Sequence, residues 1–180
     1  MCRYATVAYK QHYACFACRK VFKRRLLSDF SDEKSELAAA KCPQCASLMA
    51  CMGRDFAAPP QKDEKAWLHL QHLFAAGIAF HSCGCSGPGL VPANKEELVA
   101  KLRDWRDEYV KNQRFWLNKT APTTRQELAD DRAKNYVEYG KVFSLQGNKG
   151  GVVVAEAVAY WQARVQDVEQ KLNAALARPN

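Results

Sequence analysis

The sequence predicts an α+β protein, with a small N-terminal β-hairpin module packed on a mainly α-helical body that holds a long antiparallel helical pair. Three observations carry this. Two short cysteine pairs, Cys15-Phe-Ala-Cys18 and Cys42-Pro-Gln-Cys45, stand 23 residues apart near the start. Apolar residues recur at helical spacing through several later stretches. Between the two, Ala57-Ala-Pro-Pro60 can continue neither a helix nor a central strand. That seam predicts two domains, residues 1–58 and 62–180.

Composition bounds the class. A chain of 180 residues with 48% hydrophobic content suits a folded protein of one domain, or a small module fused to a second. No apolar run reaches the roughly 18 residues that a bilayer span needs. Met1-Cys2-Arg3-Tyr4 lacks the basic and apolar regions of a secretory signal. The expectation is a cytoplasmic protein with no membrane contact. Thiols stay reduced there, so spaced cysteine pairs read as metal ligands before disulfides.

The net charge is +8, from 27 basic and 19 acidic residues. Its densest part follows the first cysteine pair, where Arg19, Lys20, Lys23, Arg24 and Arg25 fall within seven residues. Such a cluster can meet phosphates or an acidic protein surface, or can simply form a solvated strand face.

Taken in order, Tyr4–Lys10 and Lys20–Leu27 read as two strands of a hairpin with the first cysteine pair between them. Residues 28–41 are acidic and then alanine-rich, an insertion with a short helical turn. Asp63 reads as the N-cap of a helix over 64–80, where Trp67, Leu70, Phe74 and Ile78 share a face. His81 to Gly89 reads as a loop, with three glycines and a proline. Asn94 followed by Glu97 starts a helix to about 117, with Leu98, Leu102, Trp105, Tyr109 and Trp116 on its seam. Thr123 or Thr124 caps a charged helix over 125–139, stopped by Gly140. The longest helix, 152–177, carries Val154, Val158, Trp161, Val165, Val168, Leu172 and Ala175 at alternating spacings of 4 and 3. That seam is expected to pack on the 95–117 helix, or on a second copy in a homodimer.

The strongest chemical signal is the four thiolates. Two C-x-x-C units can wrap one tetrahedral Zn²⁺, each forming a tight knuckle. The same four thiolates could hold iron, or one pair could act as a redox dithiol. A redox pair normally sits in a βαβ unit, and none is visible. A closed Cys₄ site leaves no open coordination position, so its ion holds a fold and does not activate water. In Cys15, Cys18, Cys42 and Cys45 the chain resembles the zinc-ribbon class. The resemblance covers about the first quarter and implies a fold element more than a function. Met52 to Pro59 and Ser82 to Gly89 resemble segments of an uncharacterised bacterial group of ribbon-containing proteins, which implies no activity.

A second metal site is read at His81, Cys83 and Cys85, with Cys51, His69 and His72 nearby; His69 and His72 stand at i and i+3 on one helix. With three protein ligands and a water such a site would be hydrolytic. Arg54-Asp55 could clamp a phosphate or carboxylate, or cap the hairpin module on the helices. Gly147 to Gly151 precedes a helix but lacks the Walker spacing, so it reads as a connector. Asp130 and Asp131 are adjacent and cannot both face one site on a helix. No catalytic pair emerges.

The function expected is a non-catalytic ribbon that binds nucleic acid or a ribonucleoprotein through Arg19, Lys20, Lys23, Arg24, Arg25 and Arg54. Tyr13, Phe16 and Phe22 lie beside these residues and could stack on bases, or Phe16 and Phe22 could instead fill the ribbon's very small core. The alternative is a protein-interaction module, such as an adaptor, an accessory factor or an immunity-type inhibitor. A metal-dependent hydrolase using the 81–85 region ranks last.

Overall fold

A computed structural model describes residues 10–24, 40–78, 80, 91–145 and 151–177. The fold is α+β: a three-stranded antiparallel sheet near the N-terminus, followed by helices that include a long antiparallel pair. The chain divides into two compact units, 1–98 and 99–180.

In the first unit, β1 (Gln11–Cys15), β2 (Lys20–Arg24) and β3 (Ala50–Gly53) stand in the order β2-β1-β3. The expected hairpin is present, and the strand that enters its first knuckle is Gln11–Cys15. Cys15 pairs with Lys20 and Gln11 with Arg24. The strand has to run into Cys15, because the first knuckle is the hairpin's own turn. Residues 4–9 and most of the 28–41 insertion lie outside the described residues.

Alternation puts Tyr13, Cys15 and Phe22 on one face, where they pack with Cys42 and Met49. The other face buries Ala14 and Met52. The aromatic residues expected to stack on bases are therefore engaged internally. Tyr13 is buried, Phe22 packs beside the cysteines, and Phe16 packs on Trp67 and Phe74.

Helix α1 (Glu64–Ala75) starts as read: Asp63 Oδ1 accepts from Ala66 N–H at 3.0 Å. It ends earlier than 80, because the chain turns at Gly77, whose φ of 79° is a left-handed conformation that favours glycine. Beyond it, Phe80 N–H donates to Met52 O at 2.7 Å and Asp55 N–H to Phe80 O at 3.1 Å. Trp67 Nε1 donates to Pro60 O, so the seam residues are fastened to α1.

Helix α2 (Lys95–Leu117) has the bounds the sequence implied. Glu97 N–H donates to Asn94 Oδ1 at 2.9 Å, and Glu97 answers by accepting from Ala93 N–H at 2.8 Å. The expected 125–139 helix is two helices, α3 (Arg125–Lys134) and α4 (Tyr136–Lys141). They part at Asn135, whose side-chain amide donates to Asp131 Oδ1 and O beside the bond from its own backbone N–H to Asp131 O. Thr124 caps α3 in a full capping box with Glu127. A short 3₁₀ turn (Phe143–Leu145) follows, and α5 runs Val154–Ala177.

The second unit is centred on Trp116, Tyr139, Val142, Ala157 and Trp161, all buried. Tyr109 of α2 meets Trp161 of α5 with ring centroids 5.7 Å apart. Val168, Leu172 and Ala175 continue the buried seam of α5. Lys119 reaches into this aromatic cluster, 4.9 Å from the Phe115 ring centre and 5.3 Å from that of Tyr139. Its ammonium meets Asp131 Oδ1 at 2.6 Å, and Tyr139 donates to Asp131 Oδ2 at 2.6 Å. No helix among the described residues is long and apolar enough to cross a membrane.

Candidate metal centre

Each knuckle is built from a turn that the backbone closes around its first cysteine. The first is the four-residue turn Phe16–Arg19 between β1 and β2, where the Cys18 backbone N–H is directed at the Cys15 sulfur. The second stands on its own small hairpin. Lys41 and Leu48 form a bridge, Cys42 N–H donates to Ser47 O at 2.8 Å, and Ala46 N–H donates to Cys42 O at 2.9 Å. There Gln44 N–H donates to Cys42 Sγ at 3.4 Å. N–H groups aimed at sulfur favour the thiolate over the thiol.

The residue after each pair, Arg19 and Ala46, is left-handed, with φ of 50° and 59°. They are the positive-φ non-glycine residues among those described. The two knuckles thus share one backbone path, each at a position where glycine would fit without strain.

The four sulfurs converge. The Sγ atoms of Cys15, Cys18, Cys42 and Cys45 all lie within 4.8 Å of one another. Cys15 and Cys45 are 3.5 Å apart, Cys18 and Cys42 4.0 Å. A disulfide would need about 2.05 Å. A tetrahedral ion with metal–sulfur bonds of about 2.3 Å sets its sulfurs about 3.8 Å apart, between the two measured separations. The arrangement can hold a metal ion, and it leaves no ligand position for water.

The thiols differ in environment. Burial pushes Cys15 up. The hydrogen bond with Cys45, and burial after it, push Cys18 up to about 12. Hydrogen bonds from the Ser47 side chain and backbone hold Cys45 down at about 6. Ser47 is a supporting residue that sequence reasoning missed, although it lies only two positions beyond the ligand.

The second site is not assembled from the described residues. His81, Cys83 and Cys85 lie outside them, as do residues 147–150. Among the described residues, the knuckle cysteines are the only group of three or more metal-ligating side chains close enough to share an ion. His69 Nε2 is bonded to Pro92 O at 2.9 Å, and His72 is buried. Cys51 hydrogen-bonds to Tyr13.

The basic residues are divided. Lys20 and Arg24 share the cysteine face of the sheet, and Lys23 lies on the other. Arg24 Nη2 donates to Lys41 O at 2.9 Å, and Arg19 Nη1 meets Glu64 Oε1 at 2.8 Å. Arg54 is half-buried after β3, and Arg25 lies outside the described residues. Compared with protein-family models, curated proteins and solved structures, the chain matches none.

Proposed function

We propose that residues 1–58 of the first unit form a zinc ribbon whose ion is structural, and that the protein binds nucleic acid or a ribonucleoprotein through the basic residues the ribbon holds in place. Zinc suits the site because four thiolates in a closed tetrahedron satisfy an ion that needs no further ligand and no redox partner. Iron in the same cage would colour the protein, so metal analysis with a visible spectrum separates the two.

One observation carries the nucleic-acid reading. The described ribbon residues, 10–24 and 40–58, include Lys10, Arg19, Lys20, Lys23, Arg24, Lys41 and Arg54 against a single acid, Asp55. A small scaffold with so large an excess of cations favours a polyanion through counterion release. With Tyr13, Phe16 and Phe22 packed internally, affinity would rest on phosphate contacts and depend strongly on salt.

The test is retention of the zinc-loaded protein on immobilised RNA and on heparin across a salt gradient. Replacing Lys20 and Lys23 by Ala should lower the salt at which it elutes. It should also reduce the slope of log affinity against log salt by about 0.7 for each single-strand phosphate no longer neutralised. Unchanged elution would overturn the reading.

A second reading, a protein-interaction module, is favoured by the outward apolar residues of α4 and the following turn. Tyr136 and Phe143 are each 74% exposed. It predicts a protein that stays bound after nuclease treatment.

A further inference from the structure

The first knuckle borders an open groove of about 500 Å³, walled by Arg19, Pro60, Gln61 and Lys62. Its walls are fixed. Gln61 Nε2 donates to Cys18 O at 3.0 Å, which ties one wall to the metal centre. Trp67 Nε1 donates to Pro60 O at 3.2 Å, which ties the other to α1. Two cations therefore border an open surface groove whose Pro60 and Gln61 are tied down.

Arg19 is the unusual member. It occupies a left-handed backbone position, φ 50°, that glycine would fill more easily. Its buried Nε has no hydrogen-bond partner. Its Nη1 is engaged by Glu64, a carboxylate whose side chain is 72% exposed. Such an exposed pair holds weakly and is easily exchanged. The other nearby acid, Asp63, is committed to capping α1. A strained arginine, a neighbouring lysine and a loosely held carboxylate form an arrangement that a phosphate can enter, since guanidinium accepts carboxylate and phosphate in the same fork geometry.

We propose that this groove is a phosphate subsite for a nucleic-acid strand, in which Glu64 is an internal competitor: it holds Arg19 in the free protein and yields it to a backbone phosphate. The proposal rests on the nucleic-acid reading above and adds to it a place, two residues outside the basic cluster (Gln61 and Lys62), and a carboxylate that restrains binding.

The test uses the zinc-loaded full chain and a short fluorescein-labelled single-stranded oligonucleotide, followed by anisotropy over a salt series, with metal content measured for every variant. Glu64→Gln should tighten binding about two- to fivefold at low salt. Lys62→Ala and Arg19→Ala should each weaken binding and reduce the salt slope by about 0.7, whereas Arg19→Lys should keep the slope. Glu64→Gln should give no gain once Arg19 is Ala; a gain there would mean general charge removal and would overturn the proposal. So would an unchanged affinity in Glu64→Gln, or an unchanged slope in Lys62→Ala. If Arg19→Ala loses its metal, the Glu64 and Lys62 variants decide alone. Loss of slope in Lys23→Ala with neither groove variant responding would sink the groove and leave the broader reading standing. Failure of the unmodified protein to bind the oligonucleotide would overturn both.

Discussion

The ribbon and the second unit solve the same stability problem by different means. The second, 99–180, gathers Trp116, Tyr139 and Trp161 into an apolar centre and can bury a lysine there, because three aromatic rings and Asp131, itself held by Asn135, receive it. The ribbon has no such centre. Its four sulfurs converge to within 4.8 Å where the two knuckles meet, and the apolar side chains packed beside them are few. Apolar burial scales with the area available, and a small sheet has little. The proposed metal cross-link would supply what area cannot.

The sharpest way to break the comparison is to remove the metal. Chelation, or Cys15→Ser, should unfold the ribbon, since apparent binding energies of structural zinc are about 10 kcal/mol or more in small domains. Far-ultraviolet circular dichroism should keep most of its helical signal while near-ultraviolet bands from Tyr13 and Phe16 collapse. Equal loss of helix would show that the second unit also depends on the metal.

A smaller effect is expected at the buried pair of the second unit. Asp131→Asn leaves the Lys119 ammonium largely buried without a counter-charge and should cost about 2–3 kcal/mol by denaturant titration, with metal content unchanged. The pH dependence has a definite sign. Burial alone would push the Asp131 carboxyl up, but hydrogen bonds from Lys119, Tyr139 and Asn135 outweigh it, so the group lies below its ordinary value of 3.8. A depressed carboxyl contributes stability that is fully present above that ordinary value and is lost as pH falls through the lower, folded one. In Asp131→Asn this part of the acid limb should be missing.

The smallest effect tests the knuckle backbone. Ala46→Gly relieves a left-handed residue and should stabilise the loaded ribbon by about 1 kcal/mol, less the added freedom of the unfolded chain. A drop in stability would mean that the Ala46 methyl makes an interaction worth more than the strain.

The sequence made parts of this legible for local reasons. The four ligands follow from spacing alone, and the starts of α1, α2 and α3 from caps at Asp63, Asn94 and Thr124, since a cap is an interaction between near neighbours. What escaped is non-local or weakly patterned. β3 is only Ala50-Cys-Met-Gly53, with no β-branched residue, and exists because β1 pairs with it. The Lys119–Asp131 pair spans 12 positions with a helix start between them. The Asn135 break hides in an otherwise helical run, because its cause is the Asp131 carboxylate one turn earlier. The pairing of Arg19 with Glu64 likewise joins residues that no local pattern connects.

The sulfurs of Cys18 and Cys42 lie 4.0 Å apart although 23 residues separate them in the chain. The entropy of closing such a segment grows only with the logarithm of its length, by about 0.6 kcal/mol for each doubling. The knuckles therefore set little limit on how much chain runs between them. Residues can be added to that stretch, or a reporter spliced into it, at an energetic cost far below what the four thiolates contribute, so the interval between the ligand pairs is the natural place to extend this protein.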